Sequence, residues 1–90
     1  MANRTLVMGS QANCPTTTGA ASTFDKATLV RLCNNGSTAR LVTVVAAQNG
    51  TVIGTFTMPA NTVEYLEKKS TECIFAANAE VKGTKVGHTN

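Results

Sequence analysis

The stretch "VVAAQNGTVIGTF", residues 44–56, decides the fold class. Asn49-Gly50 stands between two runs of small and β-branched residues. That dipeptide suits a type I′ turn, where both central residues take positive φ and the twist matches the flanking strands. A β-hairpin is expected. Alternation then puts Val42, Val44 and Ala46 on one face of the first strand, and Val52, Phe56 and Met58 on one face of the second, across Gly54. Leu41, Val45 and Ile53 are apolar on the opposite face. A strand greasy on both sides is either central in a sandwich or covered by another subunit.

The same pattern extends outward along the chain. Thr and Val recur throughout, turn residues interrupt every eight to twelve positions, and no window keeps a helical apolar period over three turns. Candidate strands are 4–8, 26–33, 39–47, 51–58, 62–68, 72–77 and 81–87, separated by "NNGST", "QNG", "PAN", "KST" and "NAE". The expectation is an all-β chain: a small single-domain antiparallel β-sandwich, immunoglobulin-like or barrel-like, of about seven short strands.

Composition narrows the function classes. Ninety residues allow one small domain with a marginal core. The net charge of +3 is scattered, with Lys68-Lys69 the only adjacent basic pair, and three Phe and one Tyr are the whole aromatic inventory. A nucleic-acid binder usually carries a denser basic stripe with stacking aromatics, so no specific nucleic acid is expected as a partner. Cys14, Cys33 and Cys73 are far apart, in no C-x-x-C pair and with no histidine nearby, and read as free thiols of a reducing compartment. The start "MANRTLVMGS" has no long apolar signal region, and "LVTVVAA" at 41–47 is about a third of a spanning helix. No membrane partner is expected.

No set of residues assembles chemistry. His88 is the sole histidine, near the C-terminus, and reads as a solvated residue. Glu64 and Glu67 fall on opposite faces of a strand, so they cannot flank one substrate as acid and base. Cys14 precedes Pro15 with no base nearby to activate it. Catalytic, cofactor and metal residues are therefore expected to be none. Lys68 and Lys69 read as an exposed strand end that blunts edge pairing. Arg31 and Arg40 flank "CNNGSTA"; if their strands pair, both guanidinium groups reach the same hairpin end and become interface anchors.

One segment fits no strand. Residues 9–23, "GSQANCPTTTGAAST", hold no charge, no aromatic and no aliphatic side chain larger than alanine. Loops of this length without structure of their own are uncommon in compact domains. Extended, the segment reaches about 50 Å. Residues 1–23 are therefore read as an N-terminal strand with a flexible arm or long loop, and 24–90 as the sandwich domain. As an arm it would order on a neighbouring subunit, with Thr16 and Thr17 meeting foreign backbone and Leu6 and Val7 of "RTLVM" adding to an open sheet edge; as a loop it would fold back over its own sandwich. Leu6, Val7, Thr16, Thr17, Arg31, Arg40, Leu41 and Ile53 are the candidate subunit-interface residues.

The run from "NNGSTARLVTV" through "GTVIGTFTMPANTVEYLEKKSTECIFAA" to "VKGTKVGHTN" resembles small virion structural proteins of marine tailed phages, cyanophages among them. The likeness covers roughly residues 34–90 and consists of a cadence of strands and turns: "ARLVTV", "G-x-IG-x-FT", "EKK-x-T-[DE]" and a terminal "KV-G-[FH]-TN". It implies a non-enzymatic particle component in a β-sandwich or barrel-like fold. Apolar strand faces and few charges also suit a tile in a symmetric assembly. The expected role is capsid decoration or cement in the virion, assembled in the host cytoplasm, with the phage major capsid protein and further copies of itself as partners. A tail or neck component is the alternative within that class, and an intracellular nucleic-acid-binding β-barrel the alternative outside it.

Overall fold

A computed structural model describes residues 4–89. Eight strands occur among them: β1 Arg4–Val7, β2 Ala12–Asn13, β3 Leu29–Asn34, β4 Arg40–Val45, β5 Val52–Met58, β6 Thr62–Glu67, β7 Cys73–Ala76 and β8 Val81–Thr89. They form two sheets, one ordered β1-β8-β3-β6 with β2 also on β8, the other ordered β5-β4-β7. All pairings are antiparallel. The chain is thus a small all-β sandwich. Each of the seven expected strands is present, and β2 is the addition.

The sheets face each other across one core. Val30, Leu32 and Val81 of the larger sheet meet Val42, Met58, Ile74 and Ala76 of the smaller, with Cys14, Phe24 and Ala27 filling between them. Alternation positions these residues: β3 reads half-buried, buried, half-buried along its length, with Val30, Leu32 and Asn34 inward. The face assignment of β4 and β5 needs correction. Between Val44 and Val45 the register slips, because Ile53 has no partner of its own opposite β4. Val42, Val44 and Val45 are all buried, while Ala46 and Val52 are exposed. Val45 lies on the face opposite Val42 and Val44, as alternation puts it, where Ala21, Cys73 and Phe75 cover it. The bulge in β5 turns Val52 to that outer face as the partner of Val45, off the face of Phe56 and Met58.

The hairpin itself forms, but not with the expected turn. Asn49 is left-handed at φ 57° and Gly50 is not. The loop closes with Gly50 N–H on the Ala47 carbonyl at 2.8 Å, inside a pair made by Ala46 N–H and the Thr51 carbonyl. The tip is docked: Asn49 N–H donates to the Thr18 carbonyl, and Gln48 Nε2 to that of Ala21. Glycine is needed at 50 for room, since a Cβ there would lie 2.9 Å from the backbone of Ala47.

Residues 9–23 run over the two sheets of their own chain. Cys14 N–H donates to the Val81 carbonyl, Ala76 N–H to that of Pro15, and Ser22 exchanges both bonds with Ile74. A single 3-10 turn, Thr18–Ala20, lies between these contacts. Lack of bulk is the physical reason. Cys14 and Ala21 are small enough to be buried where the backbone lies close on the sheets.

The segment leads into a strained turn. Phe24, Asp25 and Lys26 have φ of 52°, 59° and 56°, a left-handed run costing about 1–2 kcal/mol per residue. Ser22 Oγ and Thr23 Oγ1 accept from the backbone N–H groups of Phe24 and Lys26, and Lys85 Nζ donates to the Asp25 carbonyl. Lys68 is not the exposed strand end expected. It is buried, with Nζ donating to the Ala27 carbonyl at 2.6 Å and to that of Lys69 at 3.3 Å. Burial holds its ammonium below the usual lysine range, partly offset by Cys73 and Glu72.

At the opposite end the sheets are tied by one amide. Asn34 is fully buried; Nδ2 donates to the carbonyls of Thr38 (2.9 Å), Met58 (3.0 Å) and Pro59 (3.3 Å), and Oδ1 accepts from Gly36 N–H (3.0 Å). Alanine at this position strands those carbonyls. Asn34→Ala should cost about 3 kcal/mol and lower the melting temperature by about 15 °C. Asn34→Asp should cost at least as much at neutral pH, because it faces a carboxylate toward the same oxygens, and should recover in part on acidification as the carboxyl regains a donor. Urea and thermal unfolding at two pH values check both.

Candidate functional site

Several titratable groups are occupied in holding the fold. Glu80 pairs with Arg40, whose Nε and guanidinium nitrogen lie 3.0 and 2.8 Å from one carboxylate oxygen. Glu72 accepts from Lys69 N–H, and Lys82 Nζ donates to Asn13 Oδ1. Asp25 is exposed, 3.9 Å from Lys85. Among the described residues, no three His, Cys, Asp or Glu side chains come together in a way that could hold a metal ion. The side chain of His88 lies outside the described part of the structure.

The three cysteines are free thiols in different settings. Cys33 is half-buried, its Sγ 3.0 Å from Asn35 Oδ1. Cys14 is buried in the core, and loss of hydration pushes its thiol from 9.0 up to about 12, against the pull of Lys82. A neutral thiol is a poor nucleophile and a good space-filler. Cys14 therefore acts as packing.

What the surface does present is apolar. On β1, Leu6 and Val7 are 51% and 65% exposed although they point to opposite faces of the strand, so neither face of β1 is covered. Met8 follows, also exposed. Together with Leu29, Tyr65 and Val86 it lines an open cleft of about 670 Å³ where β1 and the end of β8 stand over the outer face of β3 and β6. Thr5 Oγ1 lies 3.4 Å from the Tyr65 hydroxyl. That hydrogen bond, with a further contribution from Arg31, holds the phenol below its usual range. A second apolar group sits on the smaller sheet, with Leu41 exposed on β4 and Val52 and Ile53 exposed on β5.

The candidate residues fall into three groups. Leu6 and Val7 belong to the first surface, and Leu41 and Ile53 to the second. Thr16 and Thr17 are exposed on the segment that crosses between the sheets. Arg31 and Arg40 are not brought together, because the pairing on which that depended does not form: β3 pairs with β6 and β8, β4 with β5 and β7. Arg31 lies beside Tyr65 on the larger sheet, and Arg40 is bound to Glu80. Met8 and Tyr65 were missed as surface residues. Only the scarcity of aromatics marked Tyr65 beforehand.

No family model matches the chain, and neither a characterised protein nor a solved structure is similar to it. Among the described residues no helix is long and apolar enough to cross a membrane.

The thiols give a direct check. One cysteine, Cys33, should react with a disulfide reagent in the native state, and all three only after unfolding. The pH dependence follows from the raised Cys14 value. Unfolded chain loses that proton near 9 and folded chain near 12, so the unfolded state binds fewer protons in between. Stability is intact below the lower value and falls by about 1.4 kcal/mol per pH unit above it. The stability gap between wild type and Cys14→Ala, measured by urea unfolding, should therefore narrow at that rate above the lower value.

Proposed function

We propose that this chain is a non-enzymatic structural subunit of a phage virion, a decoration or cement protein that binds the major capsid protein on the head. The observation that carries the reading is the uncovered strand β1. Leu6 and Val7 are offered to solvent on both of its faces, beside the cleft lined by Met8 and Tyr65. Aliphatic side chains on an edge strand are what β-strand addition to a partner requires: the backbone supplies hydrogen bonds and the side chains supply fit.

The charges support the same class of function. Of eight Lys and Arg residues, Arg40, Lys68, Lys82 and Lys85 are engaged within the fold. This weakens the reading as a nucleic-acid-binding module. The resemblance of residues 34–90 to virion proteins of marine tailed phages supplies the particle, and the exposed strand supplies the contact. Each contact can be weak, because many copies on one lattice gain avidity.

Quantitative mass spectrometry of purified particles, with heads separated from tails, tests the reading. Hundreds of copies retained on heads are expected. Retention on tails would move the protein to the tail or neck, and absence from particles would refute a virion role. The double variant Leu6→Asp/Val7→Asp should keep its melting temperature and lose head binding by more than about a hundredfold, since each buried aliphatic side chain contributes about 1.5–3 kcal/mol.

A further inference from the structure

We infer that β5 is a self-pairing edge, through which two copies of this chain form a two-fold symmetric dimer centred on Thr55. The inference stands on β5 alone and does not depend on where the protein resides. β5 and β6 are terminal strands of the two sheets, but they are guarded differently. β6 carries Glu64 and Glu67 and runs into Lys68. β5 carries no charge, and none occurs between Arg40 and Glu64. Open edges are ordinarily blunted by charge or proline. A two-fold axis brings each strand against its own copy, so any charge near the axis would meet its like. An uncharged edge is the one that tolerates this.

Backbone direction fixes the register. The Leu41 carbonyl accepts from Ala77 N–H on the β7 side. By alternation Val42 and Val44 turn their groups toward β5, where they face Phe56 and Gly54. Thr55 and Thr57 are left with N–H and C=O at the open edge, and Ile53, where the strand bulges, has no partner on β4. A two-fold axis at Thr55 makes Thr55 a hydrogen-bonded pair with its own copy and pairs Ile53 with Thr57 on each side. Gly54 then lies opposite Phe56 of the second copy, in the close, non-hydrogen-bonded position. The fit there is specific. A Cβ at Gly54 would meet nothing within 4 Å, and Phe56, which packs on its own core, stays half-buried, so the exposed part of the ring of one copy lies against the open space over the glycine of the other. Val52 and Ile53, 56% and 54% exposed in the single chain, are covered by the same step. The bulge at Ile53 limits the ladder to this short stretch, which keeps the pairing from propagating.

Sedimentation equilibrium of the purified full chain tests the proposal, and it is read in free solution, apart from any particle. A reversible monomer–dimer equilibrium is expected. Thr55→Lys should raise its dissociation constant at least tenfold with the melting temperature unchanged, because Thr55 is exposed in the monomer. In a Cys33→Ser background, Thr55→Cys should form an intermolecular disulfide on mild oxidation. Thr57→Cys should not, since its equivalent positions lie about 13 Å apart across the axis. A monomer at every concentration, a dimer indifferent to Thr55→Lys, or efficient cross-linking through Thr57→Cys would each overturn it.

Discussion

The sandwich depends on the side chain of Asn34. Three of the chain's crossings between sheets, after β3, after β5 and after β7, meet at the same end of the molecule. The Asn34 amide donates into the first two, at Thr38 and at Met58 and Pro59, and its oxygen fixes Gly36. The third crossing is attached through Asn35 N–H to the Glu80 carbonyl and through the Glu80 carboxylate to Arg40. A β-sandwich must turn its backbone at each crossing, and a turning backbone leaves carbonyls without ladder partners. One buried amide with two donor hydrogens and an acceptor meets that need where a larger apolar residue would leave it open. A 90-residue chain has little margin for unsatisfied groups, so this end constrains everything built on it.

The other constraint is lateral. Residues 9–23 bond along β8 through Ala12 and Asn13 and along β7 through Pro15 and Ser22. They close one side of the sandwich by spanning from sheet to sheet. A segment that spans two layers has to lie flat on both, which is why its buried residues are as small as Cys14 and Ala21. Composition that looks unable to form a core is, in this place, a condition for closing one. The consequence is asymmetry: β7 and β8 are covered along this side, and β5 and β6 remain open on the other.

Much of this was legible in the sequence, and the gaps have physical causes. Strand positions follow from alternation and turn residues, which are local. Leu41 and Ile53 announced themselves by being apolar on the wrong face, and Leu6 and Val7 by standing outside the main run of strands. Asn34 read as one turn residue among several, because its importance lies in carbonyls 24 and 25 residues away. Lys68 read as surface, because the carbonyl that buries it belongs to Ala27. The Asn49-Gly50 signal gave the hairpin and misplaced the turn, since the docking of the tip on Thr18 and Ala21 outweighs the local preference of the dipeptide. Three successive left-handed residues at Phe24–Lys26 run against every local preference. They are held by Lys85 of β8 on the Asp25 carbonyl and by the Ser22 and Thr23 hydroxyls, with Lys68 fixing the next residue, Ala27.

The same distinction governs the surface. That β5 lacks charge is visible in the sequence, but a charge-free strand is ordinary in a core and consequential only at an edge. Topology makes it an edge. β1 is likewise an edge, and its exposed side chains lie on both faces. The two open strands belong to different sheets, so occupying one leaves the other free. A protein built this way can be linked to its own copy through the smaller sheet while the larger sheet holds a different partner. Pairing would set two β1 strands on one body, and a second attachment point raises the effective concentration of each for a repeating surface. Weak contacts then suffice, which agrees with a chain that places aliphatic residues on β1 and β5 and uses Arg40, Lys68 and Lys85 to hold its own turns.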